Sequence, residues 1–258
     1  MTKIHETAIV SKKAKLGDNI EVGPYSVIYD DVEIDNDTKI GPHVCIYDGA
    51  RIGKRVEIFQ SASVSNVNQD LKYKGEETYF YIGDDCKIRE FATLHKGTTE
   101  LGYSKIGKNC LIMDYAHIAH DCVIGDNCIF SNGVQIGGHV EIGDYVIIGG
   151  MTPVHQFSII GSHAMIGGGF RVVVDIPPFV LAANEPMKYA GPNSIGLKRR
   201  GFTTEDISTI KKAYEIYYDP SLNFSDSKKK LESEMGSHPH VKTILEFLNK
   251  SKRTVLKK

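Results

Sequence analysis

Aliphatic residues recur at every sixth position through most of this 258-residue chain. From Ile4 to Val172 there are 29 positions at that spacing, and 26 of them carry Leu, Ile, Val or Phe; only Asp70, Glu76 and Glu100 break the series. A period of six matches neither the 3.6 of a helix nor the alternation of an ordinary strand. A short strand and a turn per hexad does match it. Three such sides, one hexad each, close a triangular coil with the aliphatic residue of every side pointing inward. Successive coils then stack as parallel strands about 4.8 Å apart. The fold class expected is an all-β parallel β-helix over 1–178, followed by a linker and a small C-terminal α-helical domain over 179–258.

Four places after the aliphatic residue there usually stands a small or β-branched one, such as Ala8, Ala62, Ala92, Ala116, Val134 and Val140. Cys86, Cys110, Cys122 and Cys128 fall in this phase and show no zinc-finger spacing, so they read as reduced core residues. Glycine often follows the aliphatic residue, as at Gly17, Gly83 and Gly125, which suits a turn needing positive φ or a close backbone approach. Two polar stretches interrupt the beat, at 66–79 and 98–105. Each reads as a loop leaving a rigid scaffold, where binding groups are often carried.

The beat ends at Pro177 and Pro178, which are poor members of a strand ladder. A loop is expected over 179–201, then helices near Glu205 to Tyr218, Asp226 to Glu234 and Pro239 to Lys250, with Thr203 or Thr204 opening the first and a frayed Lys-rich tail. Net charge is −1, yet 1–197 holds 17 Lys and Arg against 24 Asp and Glu while 198–258 holds 14 against 8. That basic end suits an acidic partner or, equally from charge alone, a solvated helical face. No apolar run is long enough for a membrane span and the opening residues lack a signal-peptide core, so no transmembrane segment and a cytoplasmic location are expected.

Hexad phase separates core histidines from surface ones. Counting the aliphatic residue as position one, positions one and five face inward, and His95, His117, His120, His139, His155 and His163 all fall elsewhere. Residues three hexads apart lie on adjacent coils, so Gly138 is beside His120, His139 beside Asp121 and Gln135 beside His117. A histidine with a neighbouring carboxylate and an exposed glycine N–H suits general-base chemistry with oxyanion stabilisation.

The six-residue repeat resembles the hexapeptide-repeat acyltransferases, which implies that the coils wind left-handed. Within them, NVNQDLKY (Asn66 to Tyr73), HIAHDC (His117 to Cys122), GGMTPVHQF (Gly149 to Phe157), DIPPF (Asp175 to Phe179) and GLKRRGF (Gly196 to Phe202) resemble, in order, the UDP-N-acetylglucosamine O-acyltransferases of lipid A biosynthesis. That resemblance implies transfer of a 3-hydroxyacyl chain from acyl carrier protein to the glucosamine 3-hydroxyl of UDP-N-acetylglucosamine. It implies His120 as general base, Asp121 as its orienting group and the Gly138 N–H as oxyanion donor. Asp70, Lys72, His95, His117, His139 and His155 would position the sugar nucleotide and acyl-phosphopantetheine. Gln156, Asn193 and Arg200 would contact the nucleotide, and Arg199 with Arg200 would add positive charge where diphosphate and carrier protein approach. Gly168 matches the position limiting acyl-chain depth. Family members are homotrimers with sites between prisms, and use no separate cofactor, metal or nucleic acid.

Other readings share the prism. The N-acyltransferase of the same pathway and the coenzyme A-dependent acetyltransferases fit the NQDLKY and LKRRGF segments less well, and no N-terminal uridine-binding domain precedes the coils. A zinc enzyme could use His117 and His120. An ice-binding or purely structural helix would show outward Thr ladders, whereas the outward positions here vary.

Overall fold

A computed structural model describes all 258 residues. Twenty-six short parallel strands, most of two residues, form three sheets that wrap a single triangular prism. The first face begins at Lys3–Ile4, the second at Ile9–Val10 and the third at Lys15–Leu16, and each later strand pairs with the strand one coil before it. The register is three hexads, as in Ile118 against Ile136 and Ile124 against Ile142. Positions one and five fill the interior: Ile88, Leu94, Ile112, Ile118 and Phe130 are fully buried, as are Cys86, Cys122, Ala92 and Ala116. All five cysteines are free thiols.

The two interruptions are loops that leave the ladder and return in phase. Val64 pairs with Leu94, five hexads on, and Leu94 with Ile118, four hexads on, where an uninterrupted coil takes three. The first loop connects strands Ser63–Asn66 and Tyr79–Ile82, and the second connects Thr93–His95 and Tyr103–Ile106.

Of the two uses open to the glycine after each aliphatic residue, the turns show one. Positive φ falls on position four of the hexad, at residues such as Asn19, Asp37, Asn109, Asp121, Asn127 and His139, and not on the glycine at position two. The glycines serve close approach instead. A Cβ built on Gly83 would lie 2.6 Å from the backbone carbon and oxygen of Gly107 on the next coil.

Beyond Pro178 the expected loop is instead more sheet. Val180–Ala183 extends the first face in parallel, and Lys188–Pro192 returns antiparallel to it, closing the end of the prism. The two prolines only turn the corner. Four helices follow: α1 (Ser194–Arg199), α2 (Thr204–Tyr217), α3 (Phe224–Met235) and α4 (Pro239–Lys250). A reciprocal capping box between Thr203 and Asp206 starts α2, and Asn193 caps α1, a single short helix without an amphipathic signal.

The C-terminal tail is not frayed. Asp175, wholly buried, accepts from Ser251 Oγ at 2.6 Å and from Ile159 N–H at 2.9 Å. Its backbone pairs with Thr254 and Leu256, and Val255 and Leu256 are buried. Burial of two apolar side chains against a satisfied carboxylate outweighs the charge repulsion that the Lys-rich composition suggested.

Placing a methyl group on Gly83 sets a side chain against fixed backbone. Gly83→Ala is expected to lower stability by about 1–3 kcal/mol, the usual range for overpacking, read as a lower urea midpoint with unchanged m-value.

Candidate active site

The strands His117–Ile118 and Gln135–Ile136 lie side by side on the second face, and the turns after them form the corner toward the third. His120 and Asp121 stand on one of these turns, Gly138 and His139 on the next. His139 N–H donates to the His120 carbonyl at 3.0 Å, which locks the two turns in register.

His120 Nδ1 is 2.8 Å from Asp121 Oδ2, and the Asp121 side chain is fully buried. The rest of the Asp121 carboxylate is taken by the second loop. Thr98 N–H donates to Oδ1 at 2.9 Å, the Thr98 hydroxyl to Oδ2 at 2.7 Å, and Leu101 N–H to Oδ1 at 3.3 Å. Burial works to raise the Asp121 pKa, but the bonds from His120 and Thr98 outweigh it and hold the group below the usual carboxylate range. An ionised carboxylate can only accept, so Nδ1 of His120 carries the proton and Nε2 presents a lone pair.

That lone pair faces a bare backbone. A Cβ on Gly138 would lie 2.7 Å from His120 Cε1 and 2.8 Å from Nε2, so only glycine fits under the ring. At the corresponding hexad position elsewhere the N–H is taken by a side chain one coil on, as Lys108 by Asp126 and Asp126 by Asp144. The residue one coil beyond Gly138 is Gln156, whose side chain makes no such bond, and the Gly138 N–H has no partner within the chain. A buried free donor beside a histidine lone pair is suited to receiving negative charge that develops on a reacting oxygen.

A groove of about 350 Å³ runs from here along the second face, lined by Gln69, His95, His117, His120, Gln135 and Pro153. His95 is outside the prism interior, as its phase requires, yet only 6% exposed. Its ring meets the His117 ring edge-on at 4.9 Å, and burial first, then the charges of His117 and His120, push its pKa down to about 4. His117 Nδ1 is 2.8 Å from the Thr93 hydroxyl, and its pKa is lowered mainly by burial and secondly by His120. Both rings are therefore neutral near pH 7. His139 stacks on Phe157 at 4.5 Å and meets the His120 ring edge-on at 5.0 Å. His155 and Gln156 are exposed on the following turn, where His155 Nδ1 is 3.0 Å from the Gln156 carbonyl.

The remaining candidates lie elsewhere. Asp70 caps its own loop, accepting from Lys72 N–H at 2.9 Å, and Lys72 is exposed, so it is Gln69 of that loop that reaches the groove. Asn193 spends its amide on structure, accepting from Gly196 N–H at 3.2 Å and donating to the His163 carbonyl at 3.0 Å. Arg200 lies over the Tyr145 ring at 5.4 Å with Nη1 buried and unpartnered, and Arg199 is exposed beside it. Tyr145 and His163 mark the corner between the third and first faces, away from His120. Gly168 stands exposed on the corner between the first and second faces, where a Cβ would meet the Gly150 carbonyl at 3.0 Å. Within one chain the candidate residues thus occupy three corners.

His120, Asp121 and His139 present ligand atoms within 4.8 Å of one another, a different grouping from the His117 and His120 pair expected of a zinc site. The four donors on Asp121 already occupy the carboxylate, which favours a hydrogen-bonded relay over metal ligation.

A family model for domain 2 of UDP N-acetylglucosamine O-acyltransferase matches residues 175–256, and one for bacterial transferase hexapeptide repeats matches 13–48 and 103–138. An acyl-[acyl-carrier-protein]–UDP-N-acetylglucosamine O-acyltransferase of Chlamydia caviae is 48% identical over 99% of this chain and 92% of its own length. One of Thiobacillus denitrificans is 44% identical over the full length of both. The chain belongs to the UDP-N-acetylglucosamine O-acyltransferase family. It is accordingly an O-acyltransferase enzyme with the left-handed parallel β-helix fold. The UDP-N-acetylglucosamine acyltransferase of Bacteroides fragilis superposes with a TM-score of 0.96 at 40% identity, covering 98% of this chain and all of that one. The Francisella novicida acyltransferase gives 0.96 at 37% identity, covering 99% and 94%.

The contact between Gly138 and the His120 ring can be tested without removing any donor. Gly138→Ala keeps its N–H but displaces the ring; a misplacement of that size is expected to cost about 10²-fold in turnover, measured as kcat alongside an unchanged circular dichroism spectrum.

Proposed function

We propose that this enzyme transfers a 3-hydroxyacyl chain from acyl carrier protein to the glucosamine 3-hydroxyl of UDP-N-acetylglucosamine, the first step of lipid A biosynthesis. The observation that carries the mechanism is the His120 Nδ1 bond to buried Asp121 with the unpartnered Gly138 N–H next to Nε2. His120 Nε2 removes the proton of the 3-hydroxyl as its oxygen attacks the thioester carbonyl. The Gly138 N–H donates to the oxyanion of the tetrahedral intermediate. Collapse breaks the C–S bond, and the proton on His120 passes to the departing phosphopantetheine thiolate. Asp121 keeps the tautomer fixed throughout. No separate cofactor or metal takes part, because the acyl group arrives on phosphopantetheine.

Substrate positioning falls to the neutral His95 and His117, to His139, His155 and Gln156, and to the first loop with Asp70 and Lys72. The acyl chain extends toward Gly168, whose missing side chain leaves room for a long one. The basic C-terminal end receives the acidic carrier protein. No helix is long and apolar enough to cross a membrane. The acyl group and the sugar both arrive on water-soluble carriers, and a cytoplasmic location for the enzyme is part of the same reading.

The separation of Asn193, Arg199 and Arg200 from His120 within one chain supports a homotrimer. In that arrangement the arginine-bearing corner of one prism faces the histidine groove of the next, so diphosphate and reacting hydroxyl are held by different copies.

Incubation with UDP-N-acetylglucosamine and 3-hydroxyacyl carrier proteins of several lengths, with mass identification of the product, tests the reaction. A mono-O-acylated nucleotide sugar is expected, and its formation should fall about 10²–10⁴-fold in His120→Ala; an N-acylated product, or turnover surviving in that variant, would sink the proposal. Shared sites make a second expectation. Co-expressed His120→Ala and Arg200→Glu chains, each inactive alone, should recover activity at about one site in three of the mixed trimers, whereas mixtures as inactive as the parents would place the whole site within one chain.

A further inference from the structure

The second loop adds one hexad to its coil, since Leu94 pairs with Ile118 four hexads on and not three. Its ends bond to the first loop and to Tyr79, and its middle turns inward through Thr98 and Leu101, whose donors are both aimed at Asp121. The loop is also folded around Thr98. Gly102 N–H donates to the Thr98 carbonyl at 2.7 Å and Glu100 N–H to the Thr98 hydroxyl at 3.2 Å. A hydroxyl accepting from Glu100 has its proton directed at Asp121 Oδ2, the same oxygen that receives the His120 Nδ1 proton.

We propose that Thr98 is a positioning residue for acyl transfer, acting through Asp121 to fix the direction and tautomer of His120. This rests on the reading of His120 as the base. The charged and titratable groups nearest Asp121 are His120 on its own turn, His139 from the next coil, 3.7 Å from Oδ2, and Glu100 from the loop, itself 3.7 Å from His139; the cavity that Asp121 borders also carries Glu141 from the third face and Lys250, Lys252 and Arg253 from the C-terminal end. Against these, Thr98 and the loop amides are permanent neutral donors, unaffected by pH. Removing the hydroxyl leaves Oδ2 with a single strong donor. More of its negative charge then falls on the His120 bond, which favours the protonated ring and costs active base at low pH. It also frees the carboxylate to rotate, so the imidazole loses its fixed aim.

The test compares Thr98→Val, Thr98→Ser and His120→Ala in the full-length enzyme. Thr98→Val keeps the backbone N–H and the side-chain shape. Its kcat is expected to fall at least about tenfold, with KM for both substrates within about twofold and the acidic limb of the pH–rate profile moved to higher pH. Thr98→Ser should restore both. As a readout independent of activity, the proton shared by His120 Nδ1 and Asp121 should shift in the NMR spectrum of histidine-labelled Thr98→Val and return in Thr98→Ser. Wild-type kcat and pH profile in Thr98→Val would overturn the proposal, as would a loss confined to KM or one that serine does not rescue. If Thr98→Val unfolds, the serine variant decides: a wild-type profile and NMR signal support the hydroxyl's role, and a defective one refutes it. An active His120→Ala would instead overturn the underlying assignment of the base, so the two failures are distinguishable.

Discussion

Backbone hydrogen bonds from each coil to the next hold the prism together, and the site inherits its accuracy from them. Ala119 N–H bonds the Ile136 carbonyl at 3.1 Å and Val123 N–H the Val140 carbonyl at 3.0 Å, so the turn carrying His120 is pinned on both sides to the turn carrying Gly138. Buried aliphatic columns prevent a slip along the axis, because any shift other than a whole side would turn apolar residues outward. His120 and Gly138 therefore sit on the hydrogen-bonded ladder itself, and no loop has to close to bring the proposed base and oxyanion donor together.

The corner geometry explains why the chemistry gathers at particular hexad positions. Position four takes a left-handed backbone that costs a side-chain-bearing residue about 1–2 kcal/mol, and the coil imposes it at Asp121, φ +57°, and at His139, φ +59°. Asparagine and aspartate fill many such corners, and aromatic rings fill others, stacking from coil to coil as Phe91 does on Tyr115 and His139 on Phe157. At Asp121 the same conformation turns a carboxylate back beneath the preceding histidine. A structural requirement of the turn and the orientation of the His120 ring are met by one residue.

Much of this was legible in the sequence because the period fixes which residues lie side by side. The pairs His117 with Gln135, His120 with Gly138 and Asp121 with His139 follow from counting three hexads along the chain, and the structure has all three. What phase does not govern was not legible. Thr98 and Gln69 reach the site from loops outside the ladder, whose paths no periodicity describes. Composition left two uses open for the glycine at position two, positive φ or close approach, and close approach holds because glycine there answers to the neighbouring coil and not to its own torsion angles. The tail's attachment depends on Asp175, a buried carboxylate whose partner Ser251 lies beyond all four helices in the chain. The allocation of Asn193 to a helix cap was hidden for a different reason, since α1 is too short to announce itself.

The two loops have one property in common that bears on how such an enzyme can change. Coils of five and four hexads exceed the standard three by two sides and one side of the triangle respectively. Each excursion is thus a whole number of repeat units, and the chain re-enters the ladder with its aliphatic frame intact. Length can be gained or lost at these points as discrete modules, leaving the stacked scaffold unaltered. The segments that bring Gln69 to the groove and Thr98 to Asp121 are in that sense interchangeable parts, free to diverge while the prism that aligns His120 with Gly138 stays the same.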